Sequence, residues 1–72
     1  MLLSMDGYEI CSGLWYEAPD GTIYEVTSVD SCYVYLIEVT LVPVDAYGAT
    51  QHIYGDACRM TWDEAENLMY HF

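Results

Sequence analysis

Apolar and polar residues alternate with a period of two along most of this chain, and the period lengthens only near its C-terminus. Over residues 8–16, Tyr8, Ile10, Leu14 and Tyr16 fall on one side and Glu9 on the other, with Glu17 continuing the polar side. That is the pattern of an extended segment with one buried face. Pro19-Asp20-Gly21 closes it with a turn, because proline presets φ and glycine accepts positive φ. Residues 22–29, rich in Thr, Val and Ile, predict a second strand, and Asp30-Ser31 turns the chain again. In 32–42, Tyr33, Tyr35, Ile37, Val39 and Leu41 oppose Val34, Leu36 and Val42. Apolar residues on both faces predict a central strand, which Pro43 stops. Residues 45–50 read as a loop and 51–54 as a short edge strand.

The last segment changes period. Thr61-Trp62-Asp63-Glu64 fits a capping box, in which the threonine hydroxyl and the glutamate carboxylate each take a backbone amide at a helix start. Trp62, Ala65, Leu68, Met69 and Phe72 then make one helical stripe. Asp63, Glu64 and Glu66 lie in the first turns, where the helix dipole favours negative charge. A helix over 62–70 is predicted. The expected fold is α+β, a small antiparallel sheet of three to four strands with a C-terminal helix packed on it. At 72 residues this is a single compact domain spanning 1–72.

Charge changes the picture. The chain carries twelve Asp and Glu, one Arg and no Lys, a formal net charge of −11, yet 54% of it is hydrophobic. Disordered acidic segments lack aromatic and β-branched residues, whereas eight Tyr, two Trp and one Phe occur here. Direct binding to nucleic acid is excluded as a function, because phosphate contacts need Lys and Arg and only Arg59 is present. Anionic membrane surfaces repel the chain for the same reason. The first residues show no basic n-region, and the longest apolar run, 32–37, is far short of a membrane span. A cytoplasmic protein is therefore expected. Cys11, Cys32 and Cys58 form no C-x-x-C pair and read as buried free thiols in a reducing compartment.

Motifs for chemistry are missing. His52, His71 and the three cysteines match no zinc spacing, and no acidic cluster has the calcium-loop pattern. No serine sits in G-x-S-x-G, and no glycine-rich phosphate loop occurs. No catalytic residue, metal or cofactor is assigned, and an enzyme is not expected.

What remains is the distribution of acid. The carboxylates run from Asp6 to Glu66 rather than gathering in a tail. On a strand, alternate residues lie about 6.6 Å apart on one face, so a rigid sheet can present a row of charge like a phosphate backbone. Solubility asks for a net charge of only about 2 to 8 in a small domain, and self-repulsion beyond that destabilises the compact state. The carboxylates predicted outside the core are Glu17 and Asp20 around the first turn, Glu25 and Asp30 on the second strand, and Asp63 and Glu66 on the helix. These six are the candidate partner-binding residues.

In size, charge, absence of lysine and tyrosine content, the chain resembles the small acidic proteins with which phages disarm host nucleic-acid-binding machinery, DNA mimics and anti-CRISPR proteins among them. The resemblance covers the whole chain and rests on no diagnostic motif. It implies a non-enzymatic inhibitor acting in the host cytoplasm. The implied partner is a protein with a basic nucleic-acid channel, such as a CRISPR effector complex, a restriction enzyme or a repair enzyme. Tyrosines suit such an interface, since Tyr, Trp and Arg are enriched at binding hot spots. The alternative is an ordinary acidic structural or adaptor domain from a halophile.

Overall fold

Two aspartate turns set the register of the first strands. The structure is a computed structural model that describes residues 1–71. In the first turn Asp20 Oδ1 accepts from the Thr22 amide at 3.0 Å, and Gly21 adopts a φ of +88°. In the second, Asp30 Oδ1 accepts from the Cys32 and Tyr33 amides at 2.8 and 2.6 Å. The strands so connected are β1 (Trp15–Glu17), β2 (Ile23–Val29) and β3 (Tyr33–Pro43). A loop then leads to β4 (Thr50–Thr61), a four-residue helical turn α1 (Trp62–Ala65), and β5 (Met69–Tyr70). All pairings are antiparallel, in the order β4-β3-β2-β1-β5.

The expected α+β fold, a three- to four-stranded sheet under a C-terminal helix, is therefore corrected to a five-stranded antiparallel sheet with a single helical turn. The capping box does form: Thr61 Oγ1 accepts from the Glu64 amide, and Glu64 Oε1 accepts from the Thr61 amide, both at 3.3 Å. The helix nevertheless tightens at once, with the Asn67 and Leu68 amides donating to the Glu64 and Ala65 carbonyls three residues back. No basic residue in the last turn complements the helix dipole, and helices this short are marginal alone. The open edge of β1 offers a competing set of backbone partners, and β5 takes it, Tyr70 against Tyr16 and Met69 against Glu17. Ala65 and Leu68 are buried as the stripe requires, but Met69 is exposed. Phe72 lies outside the described residues.

Three further expectations need correction. The 8–16 segment is not one strand, because Gly13 turns at a φ of +86° and only Trp15–Glu17 remains extended. Upstream, a bridge between Leu3 and Glu9 folds the N-terminal segment on itself and brings Leu2 and Ile10 into the core. The edge strand is not 51–54 but twelve residues long. The cysteines are also more open than expected, Cys11 half-buried and Cys32 and Cys58 exposed. Cys32 follows a tight turn and Cys58 sits on the edge strand.

One face of the sheet carries the core. Tyr16, Val26, Val34 and Leu36 are buried there under Leu2, Ile10, Ala65 and Leu68. The other face lacks such a cover and instead curls. Val26 faces Leu36 and Ser28 faces Tyr35, which leaves Thr27 as an extra residue in β2. Ile37 faces Ala57 and Val39 faces Tyr54, so Gly55 and Asp56 together oppose Glu38. Bulges of this kind increase local twist and bend the strand.

Candidate partner-binding surface

Eleven of the twelve carboxylate residues are exposed, and only Glu25 is half-buried. The body measures 42 × 23 × 20 Å. Eleven net charges along the 42 Å axis amount to one per about 4 Å. A single nucleic-acid strand carries one charge per about 3.4 Å and a duplex one per about 1.7 Å. The chain thus approaches the linear charge density of one strand, not of two.

The six candidate carboxylates separate into two ends and a middle. Glu17 on β1 and Asp20 in the following turn lie at one end. Asp30 lies at the opposite end of β2, about 20 Å away at the rise of an extended strand. Asp63 and Glu66 join it there, because the Trp62 indole N–H donates to the Asp30 carbonyl at 2.9 Å and holds the helical turn beside the β2–β3 turn. Glu25 stands between the ends, on the curled face. Sequence reading missed Glu38, which shares a shallow hollow with Asp20. Its place in an apolar run suggested a core strand, yet its side chain is exposed, opposite Tyr24 of β2.

Local hydrogen bonds fix some of these charges. The Thr22 backbone amide, then its hydroxyl, holds the Asp20 carboxyl below the usual carboxylate range. The Tyr33 and Cys32 amides and the Tyr35 hydroxyl do the same for Asp30. In return the Asp30 carboxylate, with a smaller contribution from burial, pushes the Tyr35 phenol up. The Asp30 carboxylate is engaged in building its turn: Oδ2 also accepts from the Tyr35 hydroxyl at 2.9 Å. Asp63 and Glu66 have exposed carboxylates with no such duty, and Glu17 likewise.

Glu25 belongs to an aromatic cluster. Its Oε1 accepts from the Trp15 indole at 2.9 Å and from the Tyr54 hydroxyl at 3.3 Å. Trp15 is flanked by His52 at 4.7 Å and by His71 at 6.1 Å between ring centroids. Further along, Arg59 lies over the Tyr33 ring at 4.4 Å, so the single arginine is already engaged in a cation–π contact. Sequence spacing could not bring Trp15 and Tyr54 together, since a bulge separates their rows.

A second hollow, of about 470 Å³, lies beside Glu17 and is walled by Met5, Ala18, Pro19, Asn67 and Met69. Among the described residues, no three of His, Cys, Asp and Glu are grouped so as to hold a metal ion, and no helix is long and apolar enough to cross a membrane. No protein-family model matches the chain, and no curated protein or solved structure matches it either.

Proposed function

We propose that this chain is a non-enzymatic acidic inhibitor that occupies the basic nucleic-acid-binding groove of a larger protein, of the DNA-mimic or anti-CRISPR type, and blocks DNA or RNA binding. The observation that carries this is the exposure of eleven carboxylates on a sheet scaffold with one arginine and no lysine. Glu17, Glu38 and Asp56 sit on strands and Asp20 and Asp30 in hydrogen-bonded turns, so their backbone positions are fixed, which a disordered acidic tail cannot provide. Long-range attraction speeds the encounter with a basic groove. Carboxylates then take the Arg and Lys side chains that otherwise hold phosphates. The linear charge density favours a groove built for one strand over one built for a duplex.

The test is capture on the immobilised chain from nuclease-treated cytosol, followed by elution with an excess of single-stranded oligonucleotide. The expected result is a retained protein with a basic channel that the oligonucleotide releases. A retained protein that nucleic acid fails to displace overturns the proposal. So does a chain that folds only in molar salt, which is what an ordinary halophile domain requires.

A further inference from the structure

We infer that the hollow beside Glu17 receives a long cationic side chain, lysine or arginine, from the partner protein. This deepens the proposed function and rests on it for the partner's identity as a basic protein. The hollow lies where three parts of the chain meet: Met5 from the N-terminal segment, Ala18 and Pro19 from the β1–β2 turn, and Asn67 before β5 with Met69 in it. Two thioethers, a methyl and a proline ring make walls suited to a methylene stem. Lysine and arginine bury such stems along apolar surface while the charged head seeks a polar partner.

The polar groups lie in the same lining. Among the described residues the Glu17 carboxylate makes no hydrogen bond, although its backbone is fixed in β1 opposite Ile23 and Met69. The Asn67 amide nitrogen donates to the Asp63 carbonyl at 3.4 Å, which leaves its side-chain oxygen as an acceptor. A carboxylate and an amide oxygen at an apolar hollow match an ammonium or guanidinium head. Other occupants fit worse. An anion meets a net charge of −11, and a neutral apolar group leaves Glu17 desolvated without a partner. A second copy offers no lysine, and its one arginine is held against Tyr33. A polyamine has the right head, but Glu17 is the single carboxylate of the lining, so its remaining ammonium groups find no partner there.

Methionine methyl NMR tests this without the target. The four methionines are Met1, Met5, Met60 and Met69, and only Met5 and Met69 line the hollow. The probes are blocked peptides carrying one central lysine, arginine, norleucine or 2,3-diaminopropionate. Norleucine keeps the stem without the charge, and diaminopropionate keeps the charge on a short stem. Lysine or arginine peptide should shift the Met5 and Met69 methyls saturably and leave Met60 in place. Both control peptides should bind about tenfold more weakly or less, and Glu17→Gln should weaken the cationic peptides by about tenfold, as loss of a charge-assisted hydrogen bond implies. Equal binding of the short-stem peptide, equal binding of spermidine, or an unchanged Glu17→Gln overturns the site. The wild-type peptide comparison decides the matter even if that variant folds poorly. Oligonucleotide-released capture with no methyl shift removes the hollow and keeps the inhibitor; methyl shifts with no nucleic-acid competition do the reverse.

Discussion

His52 of β4 rests edge-on against Trp15 of β1, ring centroids 4.7 Å apart at 73°, although β3 and β2 lie between their strands. In a flat sheet three strand spacings separate such residues by about 14 Å. The contact therefore requires the β3–β4 hairpin to bend back over the face opposite the core, which the bulges at Thr27 and at Gly55-Asp56 allow. A double-mutant cycle of Trp15→Leu and His52→Ala, read by urea unfolding, should give a coupling of about 0.5–1.5 kcal/mol. Zero coupling means the hairpin stands away from β1 in solution.

Tyr16 ties the N-terminal segment to the sheet. Its ring is fully buried, and its hydroxyl donates to the Glu9 carbonyl at 2.7 Å while accepting from the Cys11 amide at 3.1 Å. Tyr16→Phe keeps the ring but strands two backbone groups, a loss of about 1–3 kcal/mol. Limited proteolysis of the variant should cleave first within residues 1–14. Cleavage at the 44–49 loop in preference would show that the hydroxyl does not anchor this segment.

The turns and the capping box were legible in the sequence because each is a local contract between residues two or three apart: Asp20 with Thr22, Asp30 with Cys32 and Tyr33, Thr61 with Glu64. The end of the helix was not legible. Leu68 and Ala65 are buried as helical spacing predicts, and nothing within 62–70 announces that β1, some fifty residues earlier, lacks an edge partner. Only the 51–54 part of strand β4 was legible, because Gly55 and Asp56 break its alternation at the bulge. Of the candidate site, the exposure of Glu17, Asp20, Asp63 and Glu66 followed from turn and cap chemistry. The Glu25 cluster did not: Trp15 faces Glu25 directly across β1 and β2, but Tyr54 of β4 reaches it only through the curl of the sheet.

The cap gives a direct check on the part that was legible. Thr61→Ala removes the acceptor for the Glu64 amide and should cost about 1 kcal/mol. With only four helical residues, the change should appear in the unfolding midpoint and not in the far-ultraviolet helix signal. An unchanged midpoint would show that β5 pairing alone fixes the turn.

Stability should fall at both ends of the pH scale for identifiable reasons. Hydrogen bonds hold Asp6, Asp20 and Asp30 below the usual carboxylate range, the Ser4 hydroxyl contributing most at Asp6. A carboxyl depressed in the folded state stabilises above its unfolded pKa, about 4, and that contribution is lost as pH drops through the folded value. Tyr16, Tyr24 and Tyr54, raised chiefly by burial, and Tyr35, raised chiefly by Asp30, act in the opposite sense. Their contribution is complete below about pH 10 and disappears as pH rises through their folded values. Asp30→Asn retains an acceptor for the turn amides but not the charge, so urea unfolding from neutral to acid pH should give a shallower acid limb than wild type. An identical limb would assign the acid sensitivity to other carboxyls.

Charge reversal separates the two acidic ends. Glu17→Lys with Asp20→Lys alters the end that holds the Met5–Met69 hollow, whereas Asp63→Lys with Glu66→Lys alters the helical-turn end. Asp30 is unsuitable, because its carboxylate builds a turn. All four chosen side chains are exposed, and exposed substitutions usually change stability by less than about 0.5 kcal/mol. Relief of self-repulsion can even raise it. Binding to the captured partner should weaken steeply with added salt, since unburied pairs are screened over about 8 Å at physiological ionic strength. One double reversal should abolish competition with the oligonucleotide and the other should leave it nearly intact, because clusters about 20 Å apart at the two ends of β2 cannot both face one groove unless the strand lies lengthwise in it. Loss in both variants would indicate that lengthwise seating, with the whole row of charge in contact. Indifference to both, in protein that still unfolds cooperatively, would end the mimicry hypothesis, because no basic groove would then be reading either cluster of carboxylates.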